Sequence, residues 1–236
     1  MNRRSRPTVI SLLALLLALL LITPAAAAVG KVANLNGPLF AEGADGSRRV
    51  LAKDSAVEVG DTLVTEKRTF ARVVFADASE VILRPGTRFK VEAISFDPDR
   101  PEQDNLVLDA VKGGLRAITG QVGKRGSQDA YQMKTAAATI GIRGTIYEVR
   151  VCSGNCEGLA DGVYFFVVQG MIEVANQAGS VVVGPGEFAY ARDLESMPLL
   201  IPEPGTIDFT LPAEWSALGL EDWASNPGSG RSCEMR

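Results

Sequence analysis

Histidine is absent from the 236 residues. Without it, neither a Ser–His nor a Cys–His nucleophile pair can form. A histidine-bearing zinc site and an imidazole pH switch are excluded as well. Cysteine is scarce, and three residues cannot supply a Cys₄ zinc or iron–sulfur centre. Aromatics make up 6% of the chain, and 24 Lys and Arg face 28 Asp and Glu, a net charge of −4. A nucleic-acid partner needs a basic footprint, which this balance does not provide. Apolar residues are plentiful, at 46%, which excludes a disordered chain. Composition therefore predicts a folded, acidic, non-catalytic protein with no metal and no cofactor.

The N-terminus has three parts. Arg3, Arg4 and Arg6 form a positive region, and Val9 to Ile22 is an apolar run broken only by Ser11. Ala26, Ala27 and Ala28 then supply small residues for a signal-peptidase site. The apolar run is 14 residues long, whereas a spanning helix needs about 20. Residues 1–28 are expected to be a cleaved signal peptide, leaving no stable membrane span. The Arg pair lacks the rest of a twin-arginine pattern, so Sec export to the periplasm or exterior is expected. No Cys lies near the cleavage site, which argues against a lipoprotein. Cleavage leaves 208 residues with 21 basic against 28 acidic, a net of −7. A chain of this size buries roughly 70% of its unfolded surface without needing disulfides.

The mature sequence reads as strands. Apolar or alternating runs recur at Ala71 to Phe75, Val81 to Leu83, Arg88 to Glu92, Leu106 to Leu108, Ile146 to Val151, Val163 to Val168 and Val181 to Val183. Asp45-Gly46, Pro85-Gly86, Asp161-Gly162 and Pro185-Gly186 punctuate them. No segment between 29 and 192 shows a long, capped 3.6-residue period, so an all-β domain is predicted over 29–193. Two degenerate repeats refine this. In one, Val81 to Phe89 resembles Val181 to Phe188, with Val57 to Leu63 as a looser copy. In the other, a strand meets Gly and then Leu or Ile, at Leu35 to Leu39, Val111 to Leu115 and Val168 to Ile172. Alternating repeats of this kind suggest a strand-rich roll, or a β-solenoid or double-stranded β-helix. Phe96 to Asn105 and Gly120 to Asp129 read as solvated turns. The region 194–236 is Pro-rich, with a short helix expected at Ala213 to Leu220 and an extended tail around it.

The most distinctive run is Thr135-Ala-Ala-Ala-Thr139-Ile-Gly141-Ile-Arg143-Gly144-Thr145. Three alanines permit close packing, Gly141 and Gly144 permit unusual backbone, and Arg143 can pin a carboxylate or several carbonyls. The run is expected to hold the fold rather than a ligand. Together with Gly60-Asp61-Thr62-Leu63, the strand Ala71 to Phe75 with Asp77 and Ser79, and Leu108 to Leu115, it resembles the FecR domain. The resemblance covers roughly 30–192 and is most specific over 57–149. One departure is Ala78, where the family usually has Gly in the turn. The resemblance implies an extracytoplasmic β-rich domain. In founding members that domain receives a signal from an outer-membrane transporter and relays it to a cytoplasmic sigma factor. Those members carry a cytoplasmic anti-sigma region and a transmembrane helix. Neither precedes the domain here, so the expectation is a free FecR-like binding module.

Other residues complete the inventory. Cys152 and Cys156, exported to an oxidising compartment, are expected to close a small disulfide loop; a redox pair is the alternative, and Cys233 is left over. Asp97, Asp99, Glu102 and Asp104 could suggest a calcium loop, but the EF-hand glycine is missing. Lys124, Arg125, Trp215 and Trp223 are candidate contact residues, the two Trp either anchoring the tail to the domain or meeting a partner. The expected function is recognition of an envelope protein in signalling or assembly, with strand addition as one mode. The alternative is a structural envelope protein binding peptidoglycan or another glycan.

Overall fold

The computed structural model describes residues 28–125, 127, 129–142, 144–154, 156, 158–205, 207, 211 and 215. Residues 1–27 of the expected signal segment, Arg143, Trp223, Cys233 and all of the expected 213–220 helix except Trp215 lie outside the described residues.

The strands, in chain order, are β1 (Ala28–Asn36), β2 (Leu39–Glu42), β3 (Arg48–Leu51), β4 (Ala56–Glu58), β5 (Thr62–Thr65), β6 (Phe70–Phe75), β7 (Glu80–Leu83), β8 (Arg88–Ser95), β9 (Asn105–Ile118), β10 (Tyr131–Thr135), β11 (Thr139–Ile142), β12 (Ile146–Cys152), β13 (Gly162–Gln169), β14 (Ile172–Asn176), β15 (Gly179–Val183), β16 (Phe188–Ala191) and β17 (Leu199–Ile201). Short helical pieces lie at Pro101–Gln103 and Val122–Arg125. The expectation of an all-β domain is met. No described helix is long and apolar enough to cross a membrane.

The strands form two layers that share β9. The first sheet has the order β4-β1-β6-β7-β9-β12-β13-β16-β17. The second has the order β3-β2-β5-β8-β9-β10-β11-β14-β15. β9 serves the second sheet up to Lys112 and the first from Gly113 onward. The β9–β10 pair is parallel, and the other pairs are antiparallel. Strand alternation directs one face of each sheet inward. In β6 the pattern Phe70-Ala71-Arg72-Val73-Val74-Phe75 buries every second residue. Leu63, Phe89 and Leu108 from the second sheet share one core cluster with Val73, Tyr147 and Phe165 from the first. The Tyr131 and Tyr147 hydroxyls meet at 2.6 Å inside that core, linking the layers. Burial pushes both phenols well above their ordinary range, so both stay protonated.

The repeated Gly patterns mark the places where the chain passes between sheets. Gly37, Gly60, Gly86, Gly113, Gly170 and Gly186 all have positive φ, and each lies where the chain leaves one layer for the other. At Gly113 a Cβ would lie 2.6 Å from the Thr87 hydroxyl and 2.8 Å from the Gly86 carbonyl. Only glycine fits such a corner. The first sheet also continues past residue 193, because β17 pairs with β16.

Candidate functional site

The outer face of the first sheet carries two cross-strand rows. Register places Arg72, Ile82, Arg116, Glu148, Phe166 and Phe188 side by side from β6 to β16. The neighbouring row includes Gly114, Arg150, Tyr164 and Tyr190, with Phe70 and Arg84 at its β6–β7 end. Such rows are the unit of interaction on a sheet face. Here they produce a buried charge triad. Glu148 is fully buried; Arg116 donates to its Oε1 through Nε at 2.7 Å, and an Arg84 guanidinium nitrogen lies 3.3 Å from Oε2. Burial pushes the Glu148 carboxyl up from its ordinary range, while Arg116 and Arg84 pull it back. Phe166 stacks on Phe188 at 4.5 Å, and Tyr164 tilts against Tyr190 at 4.8 Å.

Described residues after β16 pack on this face. Ile201 and Ile207 pack on Tyr164 beside the Cys152–Cys156 pair. Leu211 and Trp215 pack on Ile82 and Phe70, with the Trp215 ring 6.0 Å from that of Phe70. Trp215 is 3% exposed. Of the two roles considered for it, the structure places it as an anchor of the tail on the domain rather than on open surface.

The outer face of the second sheet has no such cover among the described residues. Its register aligns Arg48, Glu42, Thr62, Lys90, Asp109 and Lys134 across β3, β2, β5, β8, β9 and β10. The charges alternate and pair in solvent: Lys134 with Glu92 at 2.7 Å, Arg88 with Glu42 at 2.6 Å. Lys134 holds the Glu92 carboxyl below its ordinary range. Beyond β10 the side chains shrink to Thr139, Gly141 and Ala175, leaving a shallow groove of about 390 Å³ edged by Gln132, Met171 and Val182.

The two ends of the sandwich differ as well. At the end formed by β3 and β4, Arg48 and Arg49 sit on the outermost strand, a common guard against edge pairing. At the other end, β15 pairs only with β14 and β17 only with β16 among the described strands. Six of the nine exposed large hydrophobic residues described lie there: Met171, Val182, Leu194, Met197, Leu199 and Leu200. That concentration makes this rim the strongest candidate for partner contact.

Described residues of the Thr135–Thr145 run bond inward or line the groove. The Thr135 hydroxyl donates to the Ala138 carbonyl at 2.7 Å and accepts from the Ala138 amide at 3.0 Å, closing the turn between β10 and β11. Thr145 donates to the Met171 carbonyl at 2.7 Å, and its amide donates to the Thr119 hydroxyl at 2.5 Å. Thr139 and Gly141 face the groove. Gly144 has φ +63° beside the undescribed Arg143. Cys152 and Cys156 form a disulfide with Cα atoms 5.6 Å apart, and the Gly154 amide caps Asp161 at 2.7 Å.

Phe96–Asn105 and Gly120–Asp129, read from sequence as solvated turns, are tied to one another. Arg125 donates to Asp104 at 3.0 Å and to the carbonyls of Asp97 and Pro98 at 2.6 and 2.7 Å, and lies 4.8 Å from the Phe96 ring. It staples the two loops together, so it is not an open contact residue; Lys124 is exposed. Asp97 binds Arg100 and Asp104 binds Arg125, so guanidiniums occupy two of the carboxylates weighed for calcium. Val122 is buried, and the Gly120 amide donates to the Ser79 hydroxyl at 3.0 Å. Asp77, fully buried, accepts from Ser79 and from the Val122 amide at 3.2 Å. Ala78, between Asp77 and Ser79, has φ +63°, which explains why Gly is the usual residue at that place in the turn. Sequence reasoning missed the Arg116–Glu148–Arg84 triad. Its signal, alternation within Ile146–Cys152 that puts Glu148 opposite Arg116, needs the strand register.

Two layered sheets, with an apolar rim exposed among the described residues and one face carrying Leu211 and Trp215, define an all-β sandwich in class. Residues 61–173 match the family model described as FecR protein, so the resemblance carried by the Thr135–Thr145 run is shown. Two crystal structures of a candidate anti-sigma factor from Parabacteroides distasonis ATCC 8503, at 2.50 and 1.65 Å resolution, are similar to this chain at 15% identity and a TM-score of 0.47. The likeness covers 60% of this chain and 59% of that one. None of the curated proteins matches.

Proposed function

We propose that the chain is an exported, non-catalytic FecR-type module that binds an envelope protein and takes part in signalling or assembly. The observation that carries this reading is the family match over residues 61–173. The rim formed by β15 and β17 supplies a surface for it. Two strands, β15 and β17, with one strand partner each among the described residues and with Val182, Leu199 and Leu200 exposed on them, suit the addition of an extended partner strand. Export rests on the Arg3–Ala28 pattern; cleavage after Ala28 would leave β1 intact from Val29 onward. The sheet-crossing glycines favour a roll as the finer description of the architecture, because each hairpin is handed from one layer to the other.

A photo-crosslinking amino acid at Val182 or Leu199, in the chain expressed with its own signal, tests the reading. The expected result is one envelope protein captured from both rim positions and absent when the crosslinker replaces Lys90 on the polar face. Capture of wall glycan alone, or identical capture from all three positions, would overturn it. N-terminal sequencing of the exported chain should begin at Val29.

A further inference from the structure

The covered face of the first sheet has the chemistry of a peptide groove, and its present occupant is the chain itself. The anchors Ile207, Leu211 and Trp215 recur every four residues, and the described packing seats them on Tyr164, Ile82 and Phe70. Charge is complementary too. Between residues 202 and 230 the chain has five acidic residues and no Lys or Arg. The face beneath carries four arginines, Arg72, Arg84, Arg116 and Arg150, against two carboxylates, Glu148 between Arg84 and Arg116 and Glu80 on Arg72. A segment held by three apolar anchors, and joined to the last strand through Pro202-Glu203-Pro204-Gly205, can leave the sheet without breaking any strand pairing.

We infer that this face is a recognition groove for an acidic segment with an aliphatic–x₃–aliphatic–x₃–aromatic pattern, and that the chain's own Ile207, Leu211 and Trp215 plug it in cis. A partner segment of that chemistry competes with the plug, and binding it releases the tail. The inference concerns a different face from the β15–β17 rim, and it stands or falls independently of the partner proposed there.

The test uses the full mature chain and a fluorescein-labelled peptide of residues 202–220 as probe. In Leu211→Ser/Trp215→Ser the groove is open, and the peptide is expected to bind at least tenfold more tightly than to the unaltered chain. Adding Phe70→Ser to that variant should abolish the gain, and raising the salt should weaken binding because the peptide is acidic. A second form guards against misfolding of the variant. A protease site placed at Pro202–Gly205 is cut after folding, and the labelled peptide should then exchange into the groove as the severed tail leaves. Equal binding by the open and unaltered chains, or a severed tail that never exchanges while the sheets stay folded, would overturn the inference and make the tail a permanent layer of the fold.

Discussion

The two outer faces of the sandwich solve the same problem in opposite ways. On the second sheet, register lines up Arg48, Glu42, Lys90, Asp109 and Lys134, and the basic groups keep their water while half-burial pushes only the Asp109 carboxyl up. Lys90 and Lys134 remain 43% exposed. On the first sheet, register sets Ile82 beside Arg116 and Glu148 beside Phe166. Apolar and charged groups interleave there, and neither water nor bare packing satisfies such a row. The chain covers it with Leu211 and Trp215, and Glu148 ends fully buried between two arginines. The lesson is that the order of residues across strands, rather than their number, decides which face needs a lid.

The comparison can be broken most directly at Glu148. Replacing it with Gln leaves two guanidiniums short of their counter-charge under the tail, and global unfolding in denaturant should register a loss of about 3–5 kcal/mol. A loss below about 1 kcal/mol would mean that the covered face is as wet as the open one. The corner that sends β9 from one layer to the other comes next. Gly113→Ala forces a Cβ against Thr87 and the Gly86 carbonyl at positive φ, and should cost about 3 kcal/mol from strain and overpacking combined. A smaller effect is expected at the contact that joins the layers. Tyr147→Phe strands the Tyr131 hydroxyl and should cost about 1–2 kcal/mol, whereas the double change Tyr131→Phe/Tyr147→Phe should recover most of it. A double-mutant cycle on thermal unfolding measures both.

The smallest effect belongs to the open face. Lys134 lowers the Glu92 carboxyl, so this pair adds stability above the ordinary Glu range and loses it as pH falls through the lowered value. Both groups are partly exposed, and Lys134→Ala should cost no more than about 0.5 kcal/mol, shrinking further in salt. A Lys134→Ala loss comparable to that of Glu148→Gln would erase the distinction between the faces.

Much of the architecture was legible before any register was known. Alternation in Ala71–Phe75 and Arg88–Glu92 predicts half-buried strands, and those segments lie within β6 and β8. The paired repeats around Pro85-Gly86 and Pro185-Gly186 mark the corners, because a chain leaving one sheet for another needs positive φ at a fixed step. The Thr135–Thr145 run pointed to the FecR family, because its threonines and glycines must close tight turns wherever they stand. The loops were less legible. Nothing local in Gly120–Asp129 reveals that Arg125 reaches back to Asp97, Pro98 and Asp104, more than twenty residues upstream.

The residues alone therefore determined an all-β chain with many of its strands, its Gly-bearing turns and its family signature, since each depends on neighbours within a few positions. Tertiary structure decided which strands lie side by side, and with them the Glu148 triad, the Tyr131–Tyr147 bridge, the bare β15–β17 rim and the seat of Trp215. Those features are made by residues up to more than a hundred positions apart, as in Phe70 against Trp215. Pairing across sheets is a property of register, which no short stretch of sequence contains.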